Sequence, residues 1–216
     1  IGELPQEVSL SEPSEQSVMR WADGTLMARF YAENRIIVPM DRINQTMRDA
    51  VVAIEDKRFF EHNGVDPTGI MRAVVNNVTG GPLEGASTLP QQYVRNSLIE
   101  AGRQAGDEEL IDSARETTVG RKLREISLAL AVEKQMSKEE VLHGYLNIAQ
   151  FGPSQYGVEA AAQHYFSISA ADLDANQAAL LAGITQSPNR WDPVQYPEAA
   201  ETRRNVVLGE MVSQGY

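Results

Sequence analysis

From Asp41 onward the apolar residues recur at intervals of three and four, a period that predicts a mainly α-helical body. Ile43, Met47, Ala50, Val51 and Ile54 mark the face of a first helix, and Glu55 lies about 40° round from Val51, at the edge of that stripe. Residues 67 to 78 predict a second helix, opened by Pro67 and carrying Ile70, Met71, Val74, Val75 and Val78. A third is expected from Arg121 to Met136; it is apolar nearly all round between Ile126 and Val132, the pattern of a helix buried at the centre of a domain. Ser137 with Glu140 predicts a capping box for the helix of Val141, Leu142, Tyr145 and Leu146. Ser169 with Asp172 predicts a similar start for the helix of Leu173, Leu180, Leu181 and Ile184, and Pro197 opens a last helix with Val207 and Met211 on it.

Ahead of this body, Asp23-Gly24 sits between β-like runs and predicts a short hairpin between Ser17 and Val38. Residues 1 to 16 are polar, contain Pro5 and Pro13 and show no period, so they read as a linker or arm. The stretch from Ile99 to Thr118 is polar and acidic with little apolar period, and it predicts a mobile excursion. Residues 17 to 216 then make one domain.

Composition narrows the partners. A net charge of -11 opposes binding to nucleic acid or to an anionic membrane by bulk electrostatics, so any phosphate or membrane contact must be local. The absence of cysteine excludes disulfides and thiol catalysis. No apolar run reaches the roughly 20 residues that span a bilayer. The start, Ile1-Gly2-Glu3, carries neither a signal peptide nor an initiator Met and reads as an excised piece.

Three clusters could carry chemistry. Glu55-Asp56 lies where an apolar helix meets an aromatic turn with Phe59, Phe60, His62 and Gly64. A carboxylate partly withdrawn from water there suits a general base, while the alternative is a solvated pairing with Lys57 and Arg58. Gly85 to Gln92 combines small residues, two hydroxyls and two carboxamides, a cradle for a sugar or diphosphate; alternatively Thr88 and Gln91 form only a capping box with Pro90 in the first turn. Arg121-Lys122-Leu123-Arg124-Glu125 sets cations beside an anion at a helix start, which suits either a diphosphate or an ordinary i,i+4 ion pair. Glu133, deeper in the same helix, requires an ion-pair partner, and His62 reads as structural, with no metal-spaced partner to suggest zinc.

Taken in order, these clusters resemble glycosyltransferase family 51, the transglycosylase domain of class A penicillin-binding proteins and of monofunctional wall polymerases. Glu-Asp-x-x-Phe-x-x-His-x-Gly is complete from Glu55 to Gly64, Gly-x-Ser-Thr-x-x-Gln-Gln from Gly85 to Gln92, and Arg-Lys-x-x-Glu from Arg121 to Glu125, with Tyr145-Leu146-Asn147 following. The resemblance implies a lysozyme-like helical large lobe and a smaller membrane-proximal jaw, here about residues 65 to 118. It implies polymerisation of lipid II into β-1,4-linked glycan with inversion and release of undecaprenyl diphosphate, on the extracytoplasmic face of the cell membrane. Glu55 would be the base and Glu125 would act in the donor site. Asp56, Phe59, Gly85, Ser87, Thr88, Gln91, Gln92, Arg95, Arg121, Lys122 and Asn147 would bind substrate. A divalent cation, Mg or Mn near Glu125, and no organic cofactor would assist. The implied partners are lipid II, the growing glycan chain and the membrane surface, with a transpeptidase domain and a transmembrane anchor outside this chain and no nucleic acid. Phosphoglycolipid inhibitors of the moenomycin type would occupy the donor site. The chain departs from the family pattern at Pro90, where many members have Thr, at Arg95, where Lys is usual, and at Thr117, where Arg is frequent. Two other classes compete: a lysozyme-like wall hydrolase using paired carboxylates, and a non-catalytic scaffold.

Overall fold

A computed structural model gives the structure of the chain and describes residues 13, 17–30, 34–71 and 87–216. The expected hairpin is present as β1 (Ser17–Arg20) and β2 (Leu26–Phe30), paired antiparallel. Its turn uses Gly24 at φ 87°, a conformation that costs glycine nothing, and Asp23 accepts from the Thr25 hydroxyl at 2.6 Å and the Thr25 amide at 2.9 Å. The next elements are β3 (Asn34–Arg35), α1 (Gln45–Glu55), α2 (Leu89–Ala105), α3 (Glu108–Arg115), α4 (Val119–Gln135) and α5 (Lys138–Ile148). They are followed by β4 (Gln150–Gly152), β5 (Gln155–Tyr156), α6 (Val158–Phe166), α7 (Ala175–Ile184) and α8 (Pro197–Ser213). The fold is thus mainly α with a short N-terminal hairpin, as the sequence period predicts. Apart from Pro13, the predicted arm at 1–16 lies outside the described residues. So does most of the second predicted helix: the backbone is helical over 67–71, with Ile70 half-buried and Met71 70% exposed, and 72–78 are not described.

The described residues gather in two compact units, one within Glu55–Tyr145 and the other within Glu12–Ile54 and Leu146–Tyr216. In the two-segment unit a three-stranded sheet has the order β3-β5-β4, with β3 parallel and β4 antiparallel to β5. The sequence gives no sign of it, because strands of two or three residues are too short to alternate. The core of this unit collects Met47, Ala50 and Val51 of α1, Ala160, Ala161 and Ala162 of α6, Leu181 of α7 and Val207 of α8, each no more than 1% exposed. Helices α7 and α8 cross closely at Gly183, where a Cβ would stand 3.0 Å from Arg203 Cγ. Helix α7 starts later than Ser169 and Asp172 suggest: Leu173 is extended, Asp174 and Gln177 form the capping box, and Ser169 caps only the 3-10 turn Ala170–Asp172.

The continuous unit departs from the sequence reading in two places. The stretch 99–118 is helical, not a loose excursion: α2 runs on to Ala105, Gly106 at φ 66° ends it, and Asp107 caps α3 by accepting from Leu110 N at 2.9 Å. Ile111 and Ala114 of α3 are buried, and a Cβ on Gly102 of α2 would lie 2.7 Å from Ile111 Cγ1, so the two helices pack without a gap. An eight-residue helix carries too few apolar positions to reveal a period. Helix α4 is also less enclosed than its composition implies. Leu128, Ala129, Ala131 and Val132 are buried, but Leu123 is 62% and Leu130 40% exposed. Apolar residues on every side show what a helix could bury, not how many neighbours it has. The capping box at Ser137 forms as expected: Ser137 N donates to Glu140 Oε2 at 2.7 Å and Glu140 N to Ser137 Oγ at 3.2 Å.

Gly64 fixes the turn after α1 against α4. Its φ is 74°, and a Cβ there would stand 3.0 Å from the Ala129 carbonyl carbon and oxygen. Gly64→Ala is therefore expected to lower unfolding stability by about 2 kcal/mol or more, since left-handed strain and a backbone clash coincide. Urea unfolding reads this as a lower midpoint at constant slope. An unchanged midpoint would show that the turn yields.

Candidate active site

Glu55 closes α1 and is half-buried, as its place at the edge of the apolar stripe predicts. Its Oε2 accepts from Gln92 Nε2 at 2.7 Å, and Gln92 Oε1 lies 3.4 Å from the Tyr145 hydroxyl. The neighbouring carboxylate does different work. Asp56 is buried, holds His62 Nε2 at 2.9 Å from both its oxygens, and accepts from Leu89 N at 3.0 Å. A carboxylate only accepts, so Nε2 carries the proton, and the buried Nδ1 has no partner. Asp56 thereby ties the aromatic turn to the first amide of α2, and His62 is structural. Arg58 turns to Glu61 at 2.8 Å and Asp66 at 3.1 Å, so the solvated pairing considered for Asp56 is replaced by a buried one. Phe59 is fully buried beneath Lys138, whose ammonium lies 4.7 Å from the ring centroid and 2.7 Å from Glu133. Lys138 is the ion-pair partner that Glu133 requires. Phe59 accordingly supports the turn from within.

The second cluster is folded onto Gly64. The Gly64 carbonyl accepts from Thr88 Oγ1 at 2.7 Å and from Gln91 Nε2 at 3.2 Å. Thr88 is the N-cap residue of α2 in backbone terms, but its hydroxyl makes no capping bond, so the Thr88–Gln91 capping box does not form. Asp56 supplies an acceptor for the helix start instead. Pro90 stands in the first turn, where its missing N–H leaves no donor unsatisfied. Gly85 lies outside the described residues.

The third cluster meets the second through one ammonium group. Lys122 Nζ donates to Ser87 Oγ at 2.7 Å, Gln91 Oε1 at 2.6 Å and Glu125 Oε1 at 2.6 Å, which engages all three of its protons. Arg121 binds the other oxygen of Glu125. The Glu125 side chain is only 4% exposed, so this is a buried anion between two cations and not a surface i,i+4 pair. Arg95, Arg121, Arg124, Leu98, Ser113 and Ala114 line a small open recess together with Glu125. Neither Arg95 nor Arg124 forms an ion pair among the described residues, which gives the recess a local positive charge in an acidic chain. Ser113 is absent from the sequence reading, and Arg124 enters it only as one of the cations of the 121–125 cluster, not among the substrate-binding residues. Arg124 stands three residues from Arg121 on one helical face; Ser113 lies in the 99–118 stretch, whose polar composition hides the helix.

Glu55, Asp56, Ser87, Thr88, Gln91, Gln92, Arg95, Arg121, Lys122 and Glu125 thus fall in the continuous unit and are linked by hydrogen bonds or a shared recess. Asn147 belongs to the other unit, where its carboxamide pairs with both backbone groups of Val38 at 3.0 Å. The implied divalent cation meets a poor donor set: both Glu125 oxygens are held by cations, and no group of three His, Asp or Glu converges among the described residues.

The chain that carries this half-buried carboxylate, glutamine-bearing helix start and arginine-lined recess is similar to known proteins. Residues 23–212 match the family model described as Transglycosylase, and the chain belongs to that family. It is 38% identical to penicillin-binding protein 1A of Escherichia coli over 99% of its length and 39% identical to penicillin-binding protein 1A/1B of Bacillus subtilis over 90%. It spans 24% and 20% of those two relatives. The crystal structure of penicillin-binding protein 1A from Haemophilus influenzae shares the fold, with a TM-score of 0.50 and 22% identity over 95% of this chain and 19% of that one. Among the described residues no helix is long and apolar enough to cross a membrane.

Proposed function

We propose that the chain is a peptidoglycan glycosyltransferase that polymerises lipid II into β-1,4-linked glycan with inversion at the anomeric carbon. Glu55 takes the proton of the acceptor 4-hydroxyl as that oxygen attacks the donor anomeric carbon. The bond from that carbon to the diphosphate breaks, and its electron pair leaves with undecaprenyl diphosphate. Arg95, Arg121 and Arg124 face the recess where that negative charge develops, which is where preorganised cations lower a barrier most. Lys122 and Glu125 hold the helix start in place. The observation that carries this reading is that two adjacent glutamines at one helix start reach both sides, Gln92 to Glu55 and Gln91 to Lys122, which in turn holds Glu125 beside the cationic recess within one unit. That the chain spans only 24% and 20% of two penicillin-binding relatives supports further domains in the rest of the protein; in this reading they are an anchor and a transpeptidase, and the site works at the extracytoplasmic membrane surface.

The test supplies lipid II in detergent micelles or vesicles. Glycan that lengthens with time, with release of undecaprenyl diphosphate, is the expected result. Soluble fragments released from finished wall would instead indicate a hydrolase, and binding of lipid II without turnover would indicate a scaffold.

A further inference from the structure

A glutamine beside a carboxylate base can help or hinder, depending on which end of its carboxamide faces the base. The NH₂ group donates to a carboxylate, whereas the carbonyl repels it, and the two ends have nearly the same shape. In this site Nε2 faces Glu55 at 2.7 Å and Oε1 faces the Tyr145 hydroxyl at 3.4 Å. Gln92 is 9% exposed and Tyr145 1%, so water has little access to compensate a rotated amide. We propose that Tyr145 is a positioning residue for the base, acting through Gln92 by setting the orientation of its carboxamide.

The local packing explains how the phenol reaches that point. The preceding residue is Gly144, and a Cβ there would lie 2.5 Å from Cε2 of Tyr93. Gly144 of α5 thus packs against the Tyr93 ring of α2, and the residue after Gly144, Tyr145, meets the residue before Tyr93, Gln92. At 3.4 Å the Tyr145 contact is long for a hydroxyl donor, so its contribution is to orientation. The strong bond in the relay is the one from Gln92 to the charged Glu55, and Tyr145 matters only while Gln92 is there to be oriented.

This inference rests on the proposed transferase reading. Its test measures kcat and KM for lipid II polymerisation in the intact protein, for Tyr145→Phe, Gln92→Ala and the double variant. Tyr145→Phe is expected to lower kcat about five-fold with KM unchanged, and Gln92→Ala by about 10- to 100-fold. The acid limb of the kcat profile moves to higher pH in both, because the ionised base loses support. In the Gln92→Ala background the tyrosine change has no further effect. Additive losses, a loss confined to KM, or an unmoved acid limb would overturn the relay. If Tyr145→Phe does not fold, 3-fluorotyrosine at position 145 keeps the ring and donates more strongly. The acid limb then moves to lower pH, and an unmoved limb overturns the proposal. A parent protein that makes no glycan, or a Glu55→Gln variant as fast as the parent, would remove the transferase reading itself; an active parent, a silent Glu55→Gln and a normal Tyr145→Phe would remove only the relay.

Discussion

Glu55→Gln is expected to reduce glycan polymerisation by about 10²- to 10⁴-fold while the protein stays folded and still binds lipid II. The substitution keeps the shape of the side chain and still offers Gln92 an oxygen, so the packing at the end of α1 is unchanged. What disappears is the ability to accept a proton as the acceptor hydroxyl attacks. Chain-length analysis of labelled lipid II measures the loss, and thermal unfolding checks that the midpoint has not moved. A variant that polymerises at the parental rate would reassign the base.

Lys122→Met carries the second large effect, on stability and activity together. The substitution keeps most of the apolar stem but removes the ammonium that joins Ser87, Gln91 and Glu125. Glu125 is then a buried carboxylate with Arg121 as its remaining ion-pair partner. Breaking a fully buried ion pair costs about 3–5 kcal/mol. The Lys122 side chain is 31% exposed and Arg121 remains, so a loss of about 2 kcal/mol is expected. Activity should fall further than stability accounts for, because the Ser87 to Gln92 segment loses its tie to α4. Arginine at 122 should restore stability better than activity, since a planar fork cannot address three acceptors as a compact ammonium does. Equal rates for the parent and Lys122→Met would show that the tie is dispensable.

The helical class, the hairpin on Asp23-Gly24, the capping box at Ser137 and the start at Pro197 were legible because each rests on a local rule. Hydrophobic period and turn chemistry act within a few residues, and nothing distant overrides them there. The helix of 108–115 was not legible, since its buried face amounts to little more than Ile111 and Ala114. The exposure of Leu123 and Leu130 was equally hidden, because it depends on which side of α4 the rest of the chain covers. In the site, the sequence picks out the three clusters but not how they divide the work. Lys122 reads as a cation available to phosphate, yet its donors are fully engaged by protein. Thr88 and Gln91 read as a helix cap, yet both turn to the carbonyl of Gly64. Tyr145 reads as one apolar position in a helix, because the contact that gives its hydroxyl a purpose lies 53 residues back along the chain.

The division into one continuous and one split unit has a consequence for biosynthesis. Residues 12–54 leave the ribosome before the stretch from Glu55 to Tyr145, but β3 finds its neighbour only in β5, where Asn34 pairs with Gln155 and Arg35 with Tyr156. The stretch from Glu55 to Tyr145 can close as soon as it has emerged, while the earlier segment must wait until residues 146–216 have emerged. A nascent protein arrested shortly after Tyr145 should therefore resist protease over its inner portion and be cut in its leading portion.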